Sequence, residues 1–396
     1  MIESMRWFGA KDPVSLQSIR QAGATDIVSA LLDIPFDQPW PLEAVIKHRD
    51  EISAAGLKWS VVESIPIHES IKHKGADADH YIDVWIKSLN SVATAGIKTV
   101  CYNFMPIIDW TRTNLEFSLA NGATALRFDA TAFAAFDLFI LRRPSGEKDY
   151  TAKRIAAAKK YFDDLDQNQT KQLTDSIIAG LPGNVTGSYN LESFIDAISI
   201  YQEISNEELL NNLIDFQKRV VPIAEELGVT LAIHPDDPPR PLLGMPRAVS
   251  KRGDFQKMFS EVPSINNGLT WCLGSLSAGD SEDTFNIGED HPDRIHFAHL
   301  RAVSKDPDDP ECFQEAEHLG GDVSLVRAID IILSEEKKRH GNGNQSKIII
   351  RPDHGHRLAD DLGKDTNPGY GFYGRMKGLA ELRGVAAALA YRDKYK

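Results

Sequence analysis

Short apolar runs rich in Val, Ile and Thr alternate along the chain with longer stretches in which apolar residues recur every three or four positions. The first pattern reads as strands covered on both faces, the second as amphipathic helices. Arg6–Gly9 predicts a short first strand, followed by a helix over Ser15–Ala22; Asp26–Leu32 predicts a second, followed by a helix over Leu42–Ala55. A third strand over Lys58–Ile65 precedes a helix over Tyr81–Ala95, and a fourth covers Lys98–Asn103. Gly56 and Gly96 stop two of these helices just before a strand, as helix-to-strand connections commonly do.

From Phe104 to Ser205 the alternation stops: the segment is polar and Ala-rich, with helical stretches such as Ala152–Leu165 and no clear strand. An interruption of about a hundred residues inside a compact domain reads as a cap, lid or interface element. Ser205-Asn206-Glu207-Glu208 is a capping box opening a helix with Leu209, Leu213, Phe216, Val220, Ile223 and Leu227 on one face. Strands are then predicted at Val229–His234, Gly268–Leu273, Ile295–Leu300 and Lys347–Asp353, and a final helix at Gly374–Tyr391. With the insertion removed, eight strand-helix units remain in a length near the ~250 residues of a (β/α)8 barrel. The expected architecture is therefore an α/β TIM barrel formed by residues 1–396 as one domain, with a long, mainly helical insertion (104–205) after strand 4. A doubly wound open sheet has the same alternation. No G-x-G-x-x-G or Walker sequence follows an early strand, which counts against its nucleotide-binding versions.

Composition narrows the partners. The net charge is −13 and no Lys/Arg run stands out, which argues against nucleic acid and acidic membrane surfaces. Cys101, Cys272 and Cys312 are odd in number and far apart, so they imply no disulfide framework. Met1–Arg6 carries neither a basic region nor an apolar core of a leader. A soluble cytoplasmic protein acting on a small molecule is expected, and the long insertion fits a homo-oligomer, dimer or higher.

Candidate chemistry emerges from strand parity, because alternate residues face a barrel's interior and active sites lie at the C-terminal strand ends. Val229, Leu231 and Ile233 form the bulky face of the fifth strand, opposite His234; Leu269, Trp271 and Leu273 do so in the sixth, opposite Cys272. His299 shares a face with Phe297 and Arg301, and Asp353 with Ile349 and Arg351. Four consecutive strands thus deliver His234, Cys272, His299 and Asp353 to one ring. Two imidazoles, a thiolate and a carboxylate suit Mn²⁺, Fe²⁺ or Zn²⁺ better than Mg²⁺ or Ca²⁺. Taken singly, each has a plainer reading: Cys272 as a small hydrophobe, the histidines as satisfied polar groups, Asp353 as a helix cap. Cys101 reads as interior packing, and Cys312 and His318 as residues of a polar loop.

At these positions the sequence resembles the mannonate dehydratases over essentially its whole length. The resemblance is carried by Met5-Arg6-Trp7-Phe8-Gly9, Val61-Val62-Glu63-Ser64-Ile65-Pro66, Tyr102-Asn103-Phe104-Met105-Pro106 and Asp109-Trp110-Thr111-Arg112-Thr113. It continues through Ile233-His234-Pro235-Asp236-Asp237-Pro238-Pro239, His299-Leu300-Arg301, Arg351-Pro352-Asp353-His354-Gly355-His356 and Pro368-Gly369-Tyr370. It implies a xylose-isomerase-like barrel, a requirement for Mn²⁺ or Fe²⁺, and dehydration of D-mannonate to 2-keto-3-deoxy-D-gluconate in hexuronate (glucuronate) catabolism. The family's metal ligands fall on His234, Cys272, His299 and Asp353. Its catalytic pair falls on His354 and a downstream tyrosine, placed at Tyr370, with Tyr373 nearby. Phe8 stands where the family pattern leads us to expect Tyr.

Dehydration requires a base for the C2 proton and an acid for the leaving C3 hydroxyl; His354 and Tyr370 can serve in either order, with His354 as base and Tyr370 as acid the preferred one. Asn103, Arg112, Arg301, Trp7, Trp110 and His356 are candidates for holding the substrate, with Arg301 suited to its carboxylate. His68, after the third strand, is a weaker pocket candidate. A metal-dependent sugar isomerase or epimerase on a similar barrel is the alternative activity.

Overall fold

The computed structural model of the protein describes residues 1–178 and 189–394. Its first strands are β1 (Ile2–Arg6), β2 (Asp26–Ser29), β3 (Lys58–Glu63) and β4 (Thr99–Tyr102). Two short strands follow, β5 (Asn114–Ser118) and β6 (Thr124–Phe128), and then β7 (Thr230–Ile233), β8 (Asn267–Cys272) and β9 (Ile295–His299). The last are β10 (Val303–Asp306), β11 (Asp309–Glu315) and β12 (Ile349–Arg351). Eight of them close into a parallel barrel in the order β1-β12-β9-β8-β7-β4-β3-β2. Closure is made by the chain's two ends, with Ile2 opposite Ile349. The first strand is Ile2–Arg6 rather than Arg6–Gly9: pairing with β2 runs Ser4↔Asp26 to Arg6↔Val28, so Arg6 is the strand's last residue.

Helices pack around the barrel where the periodicity places them, at Leu42–Ala54, Ala78–Thr94, Asn206–Glu226 and Phe372–Lys394 among others, and a further one at Leu325–Gly341 lies outside the expected set. Ser205 and Glu208 make the reciprocal capping box that opens the third of these. Gly96 (φ 87°) follows the second helix, a left-handed turn that a side chain would strain.

Inside the barrel, Val28, Val61, Cys101, Ala232, Phe297 and Ile349 form one packed layer. Side chains alternate along a strand, so the next inward residues lie nearer the C-terminal mouth. Following the layer two residues on along each strand gives Glu63, Asn103, His234, His299 and Arg351, and two further on Arg301 and Asp353. Thr270 donates to the Cys101 sulfur at 3.1 Å, which puts Cys272 on the same side. The bulky face of β8 turns outward: Trp271 packs on Gly288, where a Cβ would meet its ring at 2.3 Å.

The insertion is not free of strands. β5 and β6 form a hairpin that joins the β10–β11 hairpin in a four-stranded antiparallel sheet, ordered β10-β11-β6-β5. Its signal lies in the sequence, because Asn121-Gly122 is a favoured hairpin turn. Gly122 adopts φ 84°, and Leu119 N–H donates to Ala123 O at 2.9 Å. Cys312 lies buried on β11 rather than in a polar loop, and His318 is buried with Nε2 2.8 Å from Pro352 O. This sheet adds side chains to the barrel mouth that no barrel strand supplies. Among the described residues no helix is long and apolar enough to cross a membrane.

Candidate active site

His234, Cys272 and His299 bring ring nitrogens and a sulfur within 4.8 Å of one another at the mouth. His234 Nδ1 lies 2.6 Å from Pro235 O and donates to that carbonyl. Nε2 is then the position for a second proton or a cation, 3.2 Å from His299 Nδ1. Asp353 Oδ2 is 3.6 Å from the same His299 nitrogen. Asp353 itself has φ 62°, a left-handed turn that carries the chain out of β12 and that Asp tolerates better than most residues.

The electrostatics suit a cation. Burial alone would raise the Asp353 carboxyl, but Arg351, His354, His299 and Arg301 hold it well below the usual carboxylate range. Burial and then Arg351 keep the His299 imidazole well below its ordinary value, hence neutral. For His234, burial is outweighed by Cys272, Glu63 and Asp353, which push it up to about 9. A cation there would displace a proton. His299 Nε2 is buried without a hydrogen-bond partner among the described residues, 3.4 Å from Glu63 Oε1, a costly state for a polar atom unless something else satisfies it. A donor set of two imidazoles, one sulfur and one carboxylate fits a borderline divalent ion.

The acid-base candidates sit beside this cluster. His354 Nδ1 is 3.1 Å from Glu315 Oε1, and its ring meets Tyr370 edge-on at 5.0 Å between centroids. The Pro368-Gly369-Tyr370 turn is held there by Gly355 N–H, which donates to Gly369 O at 2.9 Å. Gly369 (φ 79°) lies against His354, whose Cγ a Cβ would meet at 3.2 Å. Burial pushes the Tyr370 phenol up to about 12 despite Arg351 nearby. Tyr373 faces elsewhere, its hydroxyl 3.4 Å from Asp360.

The arginines divide sharply. Arg301 donates from Nε to Asp353 (2.7 Å), from NH1 to both Glu315 oxygens (2.9 and 3.2 Å), and from NH2 to Asp237 (2.5 Å) and Ser275 (2.8 Å). Every nitrogen of the guanidinium is thereby engaged. Arg112 is enclosed, donating to Thr111 O, both Asp237 oxygens and Glu315. Burial would raise the Glu315 carboxyl, but Arg301, His354 and Arg112 bring it down to about 2. It therefore remains an anion, able to accept from His354 Nδ1–H.

A cavity of about 150 Å³ opens over the cluster, and Asn103, Trp110, Arg301, His354 and Tyr370 line it together with His234 and Asp353. Three expected substrate contacts lie behind its wall. Trp7 stacks on His48 (5.2 Å between centroids), Arg112 closes the ion network, and His356 Nε2 donates to Glu315 O at 2.9 Å. His68 does line the cavity, capping the short helix Glu69–Lys72 by accepting from Ser70 N–H. Sequence reasoning passed over Glu63, Asp237, Glu315, Arg6 and Arg351. Glu63 shares the inward parity of Val61 on β3 and was readable. Glu315 was not, because its place depends on how two distant hairpins dock.

Known proteins resemble the chain over its whole length. The family model described as D-mannonate dehydratase (UxuA) matches residues 1–396. A mannonate dehydratase of Chromohalobacter salexigens is 50% identical over 389 residues, covering 98% of this chain and 99% of that protein. One of Saccharophagus degradans is 46% identical over 391 residues, covering 98% of each. The crystal structure of mannonate dehydratase from Streptococcus suis serotype 2 superposes with a TM-score of 0.77 at 32% identity, covering 99% of this chain and 96% of that one. A xylose isomerase domain protein from Planctomyces limnophilus shares the fold, with a TM-score of 0.50 at 9% identity and coverage of 99% of this chain and 98% of that one.

Proposed function

This chain belongs to the D-mannonate dehydratase family, and we propose that it is a hydro-lyase converting D-mannonate to 2-keto-3-deoxy-D-gluconate in hexuronate catabolism. The observation that carries the reading is the match of all 396 residues to that family, joined to a buried N/S/O cluster with an acid-base pair at its edge. His234, Cys272, His299 and Asp353 would hold a divalent cation; the nitrogen and sulfur donors disfavour Mg²⁺ and Ca²⁺, and Mn²⁺ or Fe²⁺ is the choice that the family resemblance implies. Bound there, it would supply Lewis-acid stabilisation of the negative charge that develops at the substrate carboxylate.

The protein's own groups have separate tasks. Glu315 accepts from His354 Nδ1–H, which leaves Nε2 as the lone pair that takes the C2 proton. The C2–H electrons move toward C1, forming an ene-diolate. As they return to form C2=C3, the C3–O bond breaks and the hydroxyl leaves as water with the proton of Tyr370. A phenol pushed up to about 12 stays protonated at neutral pH and is fit to donate. The enol then ketonises. Trp110 and Tyr189 of the insertion line the cavity, which supports reading 104–205 as a cap on the site.

The test is incubation of the purified, Mn²⁺-loaded protein with D-mannonate and a colorimetric assay for 2-keto-3-deoxy acid. Formation of that acid is expected. Metal-loaded protein that yields none would overturn the assignment.

A further inference from the structure

Arg301 is the residue that the sequence favours for a substrate carboxylate, yet each of its three guanidinium nitrogens is already bonded within the protein. Releasing one would leave a buried acceptor without its donor, which is unfavourable. Arg351 is the opposite case. It lines the cavity and is only 3% exposed. NH2 pairs with Glu63 Oε1 at 3.0 Å and Asp353 Oδ1 at 2.8 Å, while Nε and NH1 have no hydrogen-bond partner among the described residues. Tyr370 also interacts with this guanidinium, but the N–H groups of Nε and NH1 are buried with no hydrogen bond of ordinary length, on a planar, permanently charged group. Arg6, also lining the cavity, repeats the pattern. NH1 donates to Glu63 O and lies 3.4 Å from Glu63 Oε2, while Nε is buried and unpartnered. Glu63 is shared by the two cations, and Asp353, the other carboxylate on Arg351, is shared with Arg301.

We infer that Arg351, seconded by Arg6, is the receptor for the C1 carboxylate of the substrate, a role for which Arg301 has no unbonded nitrogen. The inference rests on the proposed aldonate substrate. Arg351 ends β12 and Asp353 lies two residues beyond it, ion-paired to it at 2.8 Å, and both Arg351 and Asp353 act electrostatically on Tyr370. A carboxylate received there lies among the cation ligands and the acid-base pair. Charge that moves onto the carboxylate as the C2 proton leaves is then met by fixed guanidinium donors. Glu63 becomes the positioning residue that sets the orientation of both arginines.

The experiment compares two ligands that differ only at C1: D-gluconate, which carries a carboxylate, and D-glucitol, which carries a hydroxymethyl. Their affinities for the Mn²⁺-loaded protein are measured by calorimetry, so the result does not depend on turnover. Wild type is expected to favour gluconate, and Arg351→Gln to lower the gluconate-to-glucitol affinity ratio by about tenfold or more with Mn²⁺ content unchanged. Arg351→Lys should restore the ratio only in part, and Arg6→Gln should reduce it less; if Arg351→Gln does not fold, Arg6→Gln carries the test. An unchanged ratio in the folded variants would overturn the inference, as would a ratio lost in Arg301→Lys and kept in Arg351→Gln. Failure of wild type to dehydrate D-mannonate would instead overturn the proposed reaction, which the binding ratio does not measure.

Discussion

The imidazole of His354 and the carboxylate of Glu315 come from different sheets and meet at 3.1 Å. His354 follows the last barrel strand, and Glu315 ends β11 of the antiparallel sheet. Both are buried, and Glu315 also receives Arg301 and Arg112. The antiparallel sheet therefore fixes the tautomer of a residue at the barrel end.

Glu315→Gln is accordingly expected to lower kcat by about 10²–10⁴-fold. The amide can donate to His354 Nδ1 and so favour the wrong tautomer. KM should change little, because Glu315 does not line the cavity. Steady-state kinetics of a variant with wild-type Mn²⁺ content checks this, and an unchanged kcat would remove the base-positioning role.

The two tyrosines separate by geometry. Tyr370→Phe should lower kcat by about 10²-fold or more, whereas Tyr373→Phe, whose hydroxyl faces Asp360, should stay within about threefold of wild type. Equal losses in the two variants would contradict the placement of the acid at Tyr370.

Chelation is expected to lower the Tm, and Mn²⁺ or Fe²⁺ to restore it. A ligand at a hundredfold excess over its Kd stabilises by about 2.7 kcal/mol. Mg²⁺ at the same concentration should not. Cys272→Ala should weaken Mn²⁺ binding by about tenfold or more, read as metal content after dialysis. Retention of full metal content would make Cys272 a packing residue.

Stability should also fall in mild acid for a reason outside the site. Burial and then Arg6 lower His48 to about 4, and burial lowers His296 to about 4. The unfolded chain takes up these protons near pH 6.5, while the folded protein does not until about pH 4. The stabilisation is complete above pH 6.5 and is lost as pH falls toward 4. Thermal unfolding of His48→Gln should show a shallower decline of Tm over that window, and an identical slope would count against His48.

Much of this was legible in the chain. β-Branched runs ending in polar groups located the barrel strands, and period-2 parity put His234, Cys272, His299 and Asp353 on one side, because alternation is local geometry. The same parity, taken further, reaches Glu63 and Arg351. Hairpin docking is not local. Nothing near Glu315 in sequence tells that it will meet Arg301, Arg112 and His354, nor that Arg112, taken as a substrate contact, will be enclosed by Asp237 and Glu315. Asn121-Gly122 does mark a hairpin, but β5 alternates between exposed and half-buried residues and lacks the apolar run that identifies barrel strands.

The most direct test follows D-mannonate with the Mn²⁺-loaded protein in D₂O by proton NMR. The account expects loss of the C3 carbinol signal and growth of the C3 methylene, partly deuterated, of a 2-keto-3-deoxy acid, at a rate that collapses in His354→Asn. An aldonate recovered with deuterium at C2 and its C3 hydroxyl intact would show isomerase or epimerase chemistry and contradict dehydration.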